Sequence, residues 1–515
     1  MKRWLPLLIC LAHFLTLAYL ARQHPFGNFA TETDFYHLYA PDAERIAAGQ
    51  FPRNTFQGPG YPALLSLIAG MTGGDLFTIG KWFSVVCAVL VGFLTFKLFA
   101  RLFDYWVGIG AQLIVLVSGE FPQFAINATT DIFFLLICLL VLTVFMSESL
   151  SVRRRMALAG ALIGLAYLTR YNGVFLLAVC LIGIVLLNLF EQRWGERWVS
   201  AVILVAAFFI AASPWLYANY KHQGSPFYNT NYLNLATEFY PDLVAGKTNQ
   251  DGTRVLEEKF HSFGDVLRYD PKRIITHYPI NLYESLRLSI RDNLVNEPVG
   301  WSALLGMALA LIGQKSKKVL LVLIAGTLYL LMMALTHWET RYYFFILVLY
   351  SGFAVYAVLR LSELVRTHRW FWQPVTAFIP VALVAVMWSM SLAESRKDVR
   401  RFLDSQPIEL IEASNYLNSV NPQSARLRIV ARKPHLPYLS RNEWVFFPPV
   451  KSIEEFRAWV ENSNVDYIAV GKRELKERKD LASLGDPKHA PPWLKAMWVN
   501  DDPIFILYKP EVKSE

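Results

Sequence analysis

Long apolar segments, separated by polar connections, are the feature that most constrains the fold of this chain. A helix needs about 20 predominantly apolar residues to cross the hydrocarbon core of a bilayer, and only helices and closed barrels satisfy every backbone polar group there. Eleven segments are long enough, or nearly so, and they lie near 4–20, 76–99, 105–121, 129–147, 156–170, 173–190, 198–215, 299–314, 318–336, 341–361 and 373–393. The sequence therefore predicts an α-helical polytopic membrane protein with about 11 transmembrane helices.

The composition and the charge pattern favour the same class of protein. The 515-residue chain is 54% hydrophobic and only 18% charged, which lies outside the usual range of soluble globular proteins. Its formal net charge of +9 does not indicate nucleic acid, because the lysines and arginines form short clusters between the apolar segments. All 4 cysteines fall inside apolar segments, where they pack as small hydrophobes, so we expect no disulfide framework.

The N-terminal residues 1–23 combine a basic start with an apolar run, as a signal peptide does. The run lacks a small-residue cleavage site at its end, and Cys10 follows Leu-Leu-Ile rather than the small residue that usually precedes a lipidated cysteine. We therefore expect a retained first helix, neither a cleaved signal peptide nor a lipoprotein anchor.

Basic residues mark every second connection between the apolar segments, which the positive-inside rule assigns to the cytoplasm. The N-terminus is then inside, whereas the long connections 21–75 and 216–298 and everything after 393 face outward. We expect a multi-pass protein of the cytoplasmic (inner) membrane with its functional loops on the extracytoplasmic face. The basic residues are Lys2, Arg3, Lys97, Arg101, Arg153 to Arg155, Arg193, Arg197, Lys315, Lys317, Lys318, Arg366 and Arg369.

The composition changes to that of a soluble domain after Leu392. Helix-like and β-rich runs alternate there, a pattern typical of a small α/β unit. It has no glycine-rich phosphate loop, so we expect no nucleotide binding. The sequence divides into a transmembrane domain, 1–393, that includes both long outer loops, and an extracytoplasmic α/β domain, 394–515. The helix-like runs are 408–419, 453–463 and 473–483, and the β-rich runs are 426–431, 465–470 and 503–509.

The first outer loop carries an unusual combination of acidic and aromatic residues between residues 31 and 67. Asp34 lies beside Phe35 and Tyr36, and a helical run ending at Gly49 follows. A carboxylate among aromatic rings is partly desolvated, which suits it to accept a proton. This pattern predicts an ordered functional loop rather than a linker.

Three cations near outer helix ends are candidates for holding an anionic substrate: Lys81, Arg170 and Arg341. Both arginines violate the positive-inside trend, and an outward arginine at a helix end suits a phosphate group. Each has a structural alternative. Lys81 can snorkel to the lipid headgroups, and the arginines can cap helix carbonyls or pair with Glu339.

The remaining candidates are Asp131, which opens the fourth apolar segment, and His337 with Glu339 beside Arg341. An acidic residue in the first turn of a helix is a routine partner for the helix dipole. The pair His337 and Glu339 would suit a metal site or a proton relay, although two potential ligands in one turn are weak evidence for a metal.

The motifs in their order resemble the GT-C type of integral-membrane glycosyltransferases, in the branch of the protein O-mannosyltransferases and lipid A aminoarabinose transferases. The similarity covers roughly residues 1–360, and the order of short motifs gives it specificity. The motifs are Asp34 to Ala40, Gly49-Gln50-Phe51-Pro52, Gly58-Pro59-Gly60-Tyr61-Pro62, Thr130-Asp131, the run from Gly160 to Thr169-Arg170-Tyr171, Pro214-Trp215, Gly224-Ser225-Pro226-Phe227 and Arg341-Tyr342.

The resemblance implies the GT-C fold and an inverting glycosyltransferase (hexosyl- or pentosyltransferase). The donor would be a sugar on a polyprenyl phosphate, and the acceptor a hydroxyl of an envelope glycolipid, polysaccharide or protein outside the membrane. Asp34 matches the catalytic carboxylate, and Asp131 the second acidic position. Many members carry Asp-Glu in the first loop, whereas Phe35 follows Asp34 here, so we expect no metal and no cofactor. We assign the donor phosphate to Lys81, Arg170 and Arg341, and substrate binding to Tyr36, Tyr61, Tyr171, His337 and Tyr342.

Two functions of other classes remain as alternatives. A secondary transporter would carry ionisable residues in mid-membrane on broken helices and a repeat between its halves, whereas the charges here cluster at outer helix ends. A non-catalytic envelope assembly protein would bind a partner through the C-terminal domain, and Asp34→Asn would then leave glycan output intact.

Overall fold

A computed structural model describes residues 3–247, 249–291, 294–367, 373–421 and 426–511. Of the basic residues named above, Lys2 and Arg369 lie outside this described part. Cα packing divides the chain into two compact units. The first contains Met1–Pro25, Asp42–Leu243 and Val255–Asp404, and the second contains Phe26–Pro41, Val244–Arg254 and Ser405–Glu515.

Each of the eleven predicted apolar segments coincides with helical structure. The apolar runs form helices because these satisfy the backbone within the segment. In chain order, the helices up to residue 404 are α1 Leu5–Arg22, α2 Ala40–Ala47, α3 Gly60–Thr72, α4 Leu76–Leu102, α5 Tyr105–Val115, α6 Phe121–Phe124, α7 Asp131–Phe145, α8 Val152–Thr169, α9 Phe175–Val185, α10 Trp194–Gln223, α11 Tyr232–Phe239, α12 Asn249–Lys259, α13 Phe263–Tyr269, α14 Pro271–Arg291, α15 Glu297–Gly313, α16 Lys317–Met333, α17 Phe344–Thr367 and α18 Gln373–Asp404.

The multi-pass membrane character of the chain is confirmed, whereas the number of spans stays a prediction. Within the described residues, five helical stretches are long and apolar enough to cross a membrane by themselves. Five further apolar helices are shorter, and one of them, α3, lies inside the connection 21–75, which the sequence predicts to be an outer loop. The five long stretches are Leu5–Arg22, Leu76–Leu102, Trp194–Gln223, Thr340–Glu363 and Phe378–Val420.

Small residues bring two of the site-bearing helices close together. Helix α8 packs along α10, and the backbone at Gly160 leaves no room for a Cβ against the carbonyl oxygen of Leu204. At Gly164 a Cβ would lie 3.0 Å from the carbonyl oxygen of Phe208. Close approach through small residues is the usual way in which membrane helices associate, and here it fixes the helix that ends immediately before Arg170.

The second unit contains the predicted small α/β fold. Its five-stranded sheet has the order β2-β1-β3-β5-β4, in which β1 is parallel to β2 and β3, whereas β5 is antiparallel to β3 and β4. The strands β2 and β4 and the helix α20 were not predicted. The strands are β1 Arg428–Val430, β2 Glu443–Val445, β3 Tyr467–Gly471, β4 Leu494–Asp501 and β5 Ile504–Pro510, and the helices are α19 Glu409–Val420, α20 His435–Leu439, α21 Ile453–Asn462 and α22 Lys472–Glu477.

Residues of the first outer loop belong to this second unit, which therefore joins Phe26–Pro41 with the sheet domain. The domain division predicted from the sequence, between 393 and 394, groups them with the transmembrane helices. It also falls within α18, which continues to Asp404. The domain boundaries drawn from the sequence stay a prediction.

Candidate active site

Three of the predicted charged residues meet in the first unit, at the ends of helices. Asp131 opens α7, and one of its carboxylate oxygens forms an ion pair with Nη1 of Arg170. Its other oxygen, Oδ2, lies 4.0 Å from Nη1 of Arg341. The exposed fractions of the side chains are 2% for Asp131, 14% for Arg170 and 12% for Arg341. One buried carboxylate therefore lies between two nearly buried guanidinium groups.

Both Thr-Arg-Tyr sequences lie where an extended residue leads into a 3₁₀ turn, with Arg170 just before its turn and Arg341 within its turn. Arg170 ends α8 in an extended conformation, with φ −147° and ψ 128°, and a 3₁₀ turn, Tyr171–Val174, follows. Glu339 is similarly extended, with φ −140° and ψ 130°, before the 3₁₀ turn Thr340–Tyr343 that contains Arg341. Each turn leads into an apolar helix, so each arginine is held at the end of the helical layer.

The ring of Tyr342 contacts both guanidinium groups. The guanidinium carbon of Arg170 lies 5.0 Å from the ring centroid, and that of Arg341 lies 5.1 Å from it. Cations within about 6 Å of a tyrosine ring are attracted by its quadrupole. Tyr342 therefore fixes the two arginines relative to each other, and its hydroxyl also accepts a hydrogen bond from Nη2 of Arg341 at 3.4 Å.

A second acid, Glu339, accompanies the cluster. It forms an ion pair with Arg341 and accepts a hydrogen bond from Nε2 of His337 at 3.2 Å. Burial alone would raise the pKa of Glu339, but the hydrogen bond from His337 and the charge of Arg341 outweigh it and lower the pKa to about 2. The alternative raised from the sequence, a pair between Arg341 and Glu339, is thus present alongside the approach of Arg341 to Asp131.

The helix-dipole alternative for Asp131 does not account for its contacts. Asp131 lies in the first turn of α7, but its carboxylate is directed to the two arginines. Thr130 extends the network, because its hydroxyl receives a hydrogen bond from Nη1 of Arg170 at 3.4 Å and donates to Oε1 of Gln57 at 3.3 Å. Gln57 was missed by sequence reasoning.

A cleft of about 640 Å³ opens beside Arg170 and Tyr342. Tyr171 also lines it, and its hydroxyl accepts a hydrogen bond from Nε1 of Trp215 at 3.0 Å. Much of the other wall comes from the connection 216–298, whose closely spaced asparagines and tyrosines were a signal that sequence reasoning did not use. The wall residues from that connection are Gln223, Ser225, Phe227, Tyr228, Asn229, Asn231, Tyr232, Asn234, Leu235, His261, Ser262 and Phe263.

Two other predicted residues of the first unit occupy well-packed positions. The Nζ atom of Lys81 donates a hydrogen bond to the carbonyl oxygen of His24 at 2.7 Å, and the side chain lies over the ring of Phe77. A lysine that is only 6% exposed does not reach out to headgroups, so the snorkelling alternative does not fit. Tyr61 is fully buried in α3. The roles of Lys81 in phosphate binding and of Tyr61 in substrate binding stay predictions.

Asp34 and Tyr36 belong to the second unit. Asp34 immediately precedes a single turn of π-helix, Phe35–Tyr39, closed by a hydrogen bond from the backbone of Ala40 to the carbonyl of Phe35. Such turns are rare and are frequently found at functional sites. The hydroxyl of Tyr36 accepts a hydrogen bond from the backbone of Gly27 at 2.9 Å, which ties the turn to the start of its loop.

The sheet domain packs directly against this loop, within the same unit. His435 is fully buried, and its Nε2 bonds to the carbonyl oxygen of Asn28 at 2.8 Å. Its ring centroid lies 4.6 Å from that of Tyr36. Burial lowers the pKa of His435 to about 3, so the ring is neutral and its Nε2 hydrogen is the donor. The contact therefore ties the sheet domain to the first outer loop.

In the part of the chain that the structure describes, no group of three or more histidine, cysteine, aspartate or glutamate side chains could hold a metal ion. His337 and Glu339 remain a hydrogen-bonded pair beside Arg341. Independence from metals stays a prediction.

Part of the chain that carries residues of this site is similar in sequence to a known protein family. A sequence model of the family described as dolichyl-phosphate-mannose-protein mannosyltransferase matches residues 57–217, which include Asp131 and Arg170. No curated protein matches the chain in sequence.

Solved structures share the fold over nearly the whole chain. The archaeal oligosaccharyltransferase AglB from Archaeoglobus fulgidus, in complex with an inhibitory peptide and a dolichol-phosphate, has a TM-score of 0.63 at 12% identity, with 92% of this chain and 70% of that chain covered. ArnT from Cupriavidus metallidurans, bound to undecaprenyl phosphate, has a TM-score of 0.56 at 13% identity, with 99% and 98% covered. The GT-C fold and the resemblance inferred from the motifs are therefore confirmed.

Proposed function

We propose that this chain, a membrane protein with the GT-C fold, is an inverting glycosyltransferase that moves a sugar from a polyprenyl-phosphate-linked donor to a hydroxyl acceptor. The acceptor is an envelope glycolipid, a polysaccharide or a protein, and transfer takes place on the outer face of the cytoplasmic membrane. The observation that carries the proposal is the pair of nearly buried arginines, Arg170 and Arg341, that meet at Asp131 beside a cleft of about 640 Å³.

The arginine pair suits the donor phosphate. Planar guanidinium groups bind phosphate through two parallel hydrogen bonds, and charge-assisted contacts of this kind are stronger than neutral ones. Before the donor arrives, Asp131 supplies the negative charge between the two arginines. The phosphate then takes over part of that role and gains stabilisation as negative charge builds up on it during transfer. Solved GT-C structures that hold dolichol-phosphate or undecaprenyl phosphate support this choice of donor.

The reaction needs one base and one leaving group. The acceptor hydroxyl oxygen attacks the anomeric carbon from the face opposite the phosphate, and the bond from that carbon to the phosphate oxygen breaks. Its electron pair leaves with the lipid phosphate, and the acceptor proton passes to Asp34, so the anomeric configuration inverts. The family resemblance and the rare π-helical turn after Asp34 support Asp34 as the base.

Asp34→Asn tests the base, because the amide keeps the shape of the side chain and removes its basicity. We expect sugar transfer by the purified full-length chain to fall about a hundredfold or more, the usual range for a general base, while binding of the donor lipid is unchanged. Glu44→Gln provides the matched control, since it makes the same change on an exposed residue of α2, and should transfer normally.

Near-wild-type transfer by Asp34→Asn, at normal protein levels, would contradict the assignment and move the search to Asp131. Mass spectrometry of envelope glycolipids and glycoproteins from a deletion strain identifies the sugar and the acceptor. A strain whose glycans are unchanged by deletion would favour the non-catalytic assembly protein instead.

A further inference from the structure

We propose that the cleft beside Arg170 binds the sugar of the lipid donor, and that this sugar is electrically neutral. The inference rests on the proposed function and goes beyond it by separating neutral hexoses and pentoses from amino sugars and uronic acids. It is carried by the charge and the hydrogen-bonding capacity of the side chains that line the cleft.

The cleft wall holds almost no charge. Among the described lining residues there is no aspartate, glutamate or lysine, and Arg170 carries the one permanent charge. Arg170 is already paired with Asp131. A cationic amino sugar enclosed there would have no carboxylate to pair with, and a uronate would have to compete for Arg170. Burying a charge without a partner is costly, and a site that lacks the partner discriminates against the charged ligand.

The side chains of the wall are instead suited to hydrogen-bond with the hydroxyl groups of a ligand. Oδ1 of Asn172 is buried and has no hydrogen-bond partner among the described residues, and the amide nitrogen of the same side chain makes only a long contact of 3.9 Å with the sulfur of Met333. A buried acceptor left unpaired is unfavourable. Asn172 is half-buried and lines the cleft, so a turn of its amide towards the cleft would let a sugar hydroxyl satisfy this oxygen. Asn234 is half-buried in the same wall.

Other amides of the wall are held in place by the backbone. Nδ2 of Asn231 donates to the carbonyl oxygen of Phe56, and Nδ2 of Asn229 donates to that of Phe227 at 3.1 Å. Tyr228 and Tyr232 add aromatic surface with hydroxyl groups. Fixed amides and aromatic faces together recognise a ligand that is polar yet uncharged, with both hydroxyl groups and apolar C–H surface.

The position of the cleft assigns it to the donor's sugar rather than to the acceptor. Arg170 and Tyr342 belong both to the cleft wall and to the proposed phosphate site. In the donor the sugar is bonded directly to the phosphate. A phosphate held by Arg170 therefore leaves its sugar at the entrance of this cleft.

Binding of matched lipids to the purified full-length chain tests the inference. Four probes share one polyprenyl chain: the alcohol, the bare phosphate, and the phosphate carrying either a neutral hexose or the corresponding amino sugar. We expect the neutral donor to bind on the order of tenfold more tightly than the bare phosphate and than the amino-sugar donor. A fifth probe, the uronic acid donor, should also bind more weakly than the neutral one.

Asn234→Asp supplies the carboxylate that the cleft lacks. This variant should gain affinity for the amino-sugar donor by roughly tenfold and lose affinity for the neutral donor. Asn172→Asp is a second variant with the same expectation, in case one of the two does not fold. Thr237→Asp is the control, because it places the same charge on an exposed position of α11 outside the cleft wall and should leave both affinities unchanged.

Several results would overturn the inference. Tightest binding of the amino-sugar or uronic acid donor by the wild type would refute neutrality while leaving the proposed function in place. Equal binding of the bare phosphate and the neutral donor would show that the cleft does not hold the sugar. Equal binding of the alcohol and the bare phosphate would instead count against the phosphate site, and with it the proposed function.

Discussion

Replacement of Asp131 by Asn should destabilise the chain, and a lipid phosphate should restore much of the loss. Asp131 is 2% exposed and lies between Arg170 and Arg341. Asparagine keeps the volume of the side chain but removes the charge that offsets both guanidinium groups. A phosphate that binds the same arginines supplies that charge again. Asp131→Asn therefore tests both the stabilising role of Asp131 and the proposed binding of phosphate at the same arginines.

The distances give the size of the effect. At 4.0 Å, the separation of Asp131 and Arg341, two unit charges attract by about 4 kcal/mol at an effective dielectric constant of about 20. The closer pair with Arg170 adds to this, whereas hydration of the loosened arginines reduces the net loss. Removing one partner of a buried ion pair costs about 3 to 5 kcal/mol, and we expect Asp131→Asn to fall in that range.

Thermal unfolding of the purified full-length chain, with and without polyprenyl phosphate, measures both parts of the prediction. Asp131→Asn should melt at a lower temperature and should gain more from the lipid phosphate than the wild type does. Asp104→Asn is the control, since Asp104 caps the start of α5 through hydrogen bonds from Trp106 and Val107, and asparagine caps equally well. It should melt normally and gain no more than the wild type.

A double mutant separates the charge effect from a change in packing. If Asp131 acts as the counter-ion of Arg170, then Arg170→Gln combined with Asp131→Asn should lose less stability than the sum of the two single changes. Unchanged stability of Asp131→Asn, together with an ordinary gain from the lipid, would refute the reasoning and return Asp131 to the role of a partner for the helix dipole.

Three further predictions concern other parts of the chain. Arg341→Ala should weaken binding of the lipid phosphate by about 1.5 to 3 kcal/mol, measured by titration. Arg341→Lys should restore it only in part because lysine lacks the planar fork, and equal binding by all three proteins would limit Arg341 to its contacts with Glu339, Asp131 and Tyr342. Burial lowers the pKa of His435 from 6.5 to about 3, so the unfolded chain takes up this proton first and stability should fall as the pH drops from about 6.5 towards 3. Hydrogen exchange at 428–439 should show this loss, and His435→Gln should make it smaller but not abolish it, because burial also lowers the pKa of His37 in the same unit, to about 4. An identical pH profile in the variant would contradict the assignment. A reporter fused after Glu515, which lies outside the described residues, should be active only outside the cytoplasm, and activity inside would mean that the number of spans is wrong by an odd number.

The sequence by itself determined the class of the fold and the residue types of the site. In lipid, long apolar runs form helices because each helix satisfies the hydrogen bonds of its own backbone. The helical segments can therefore be recognised from the local sequence alone. All eleven predicted segments accordingly coincide with helical structure. The alternation after Leu392 likewise indicated the small α/β fold, although the short strands β2 and β4 carried too little pattern to be recognised.

Only the tertiary structure decided which candidates act together. Asp131 and Arg170 are 39 residues apart, and nothing in hydropathy or spacing fixes whether their helix ends meet. The meeting depends on how α7 packs against α8, which is a property of the surfaces of both helices. The contact of Tyr342 with both arginines depends on tertiary packing in the same way. Contacts between distant segments are determined by how all the helices pack together, and neither segment's own sequence specifies them.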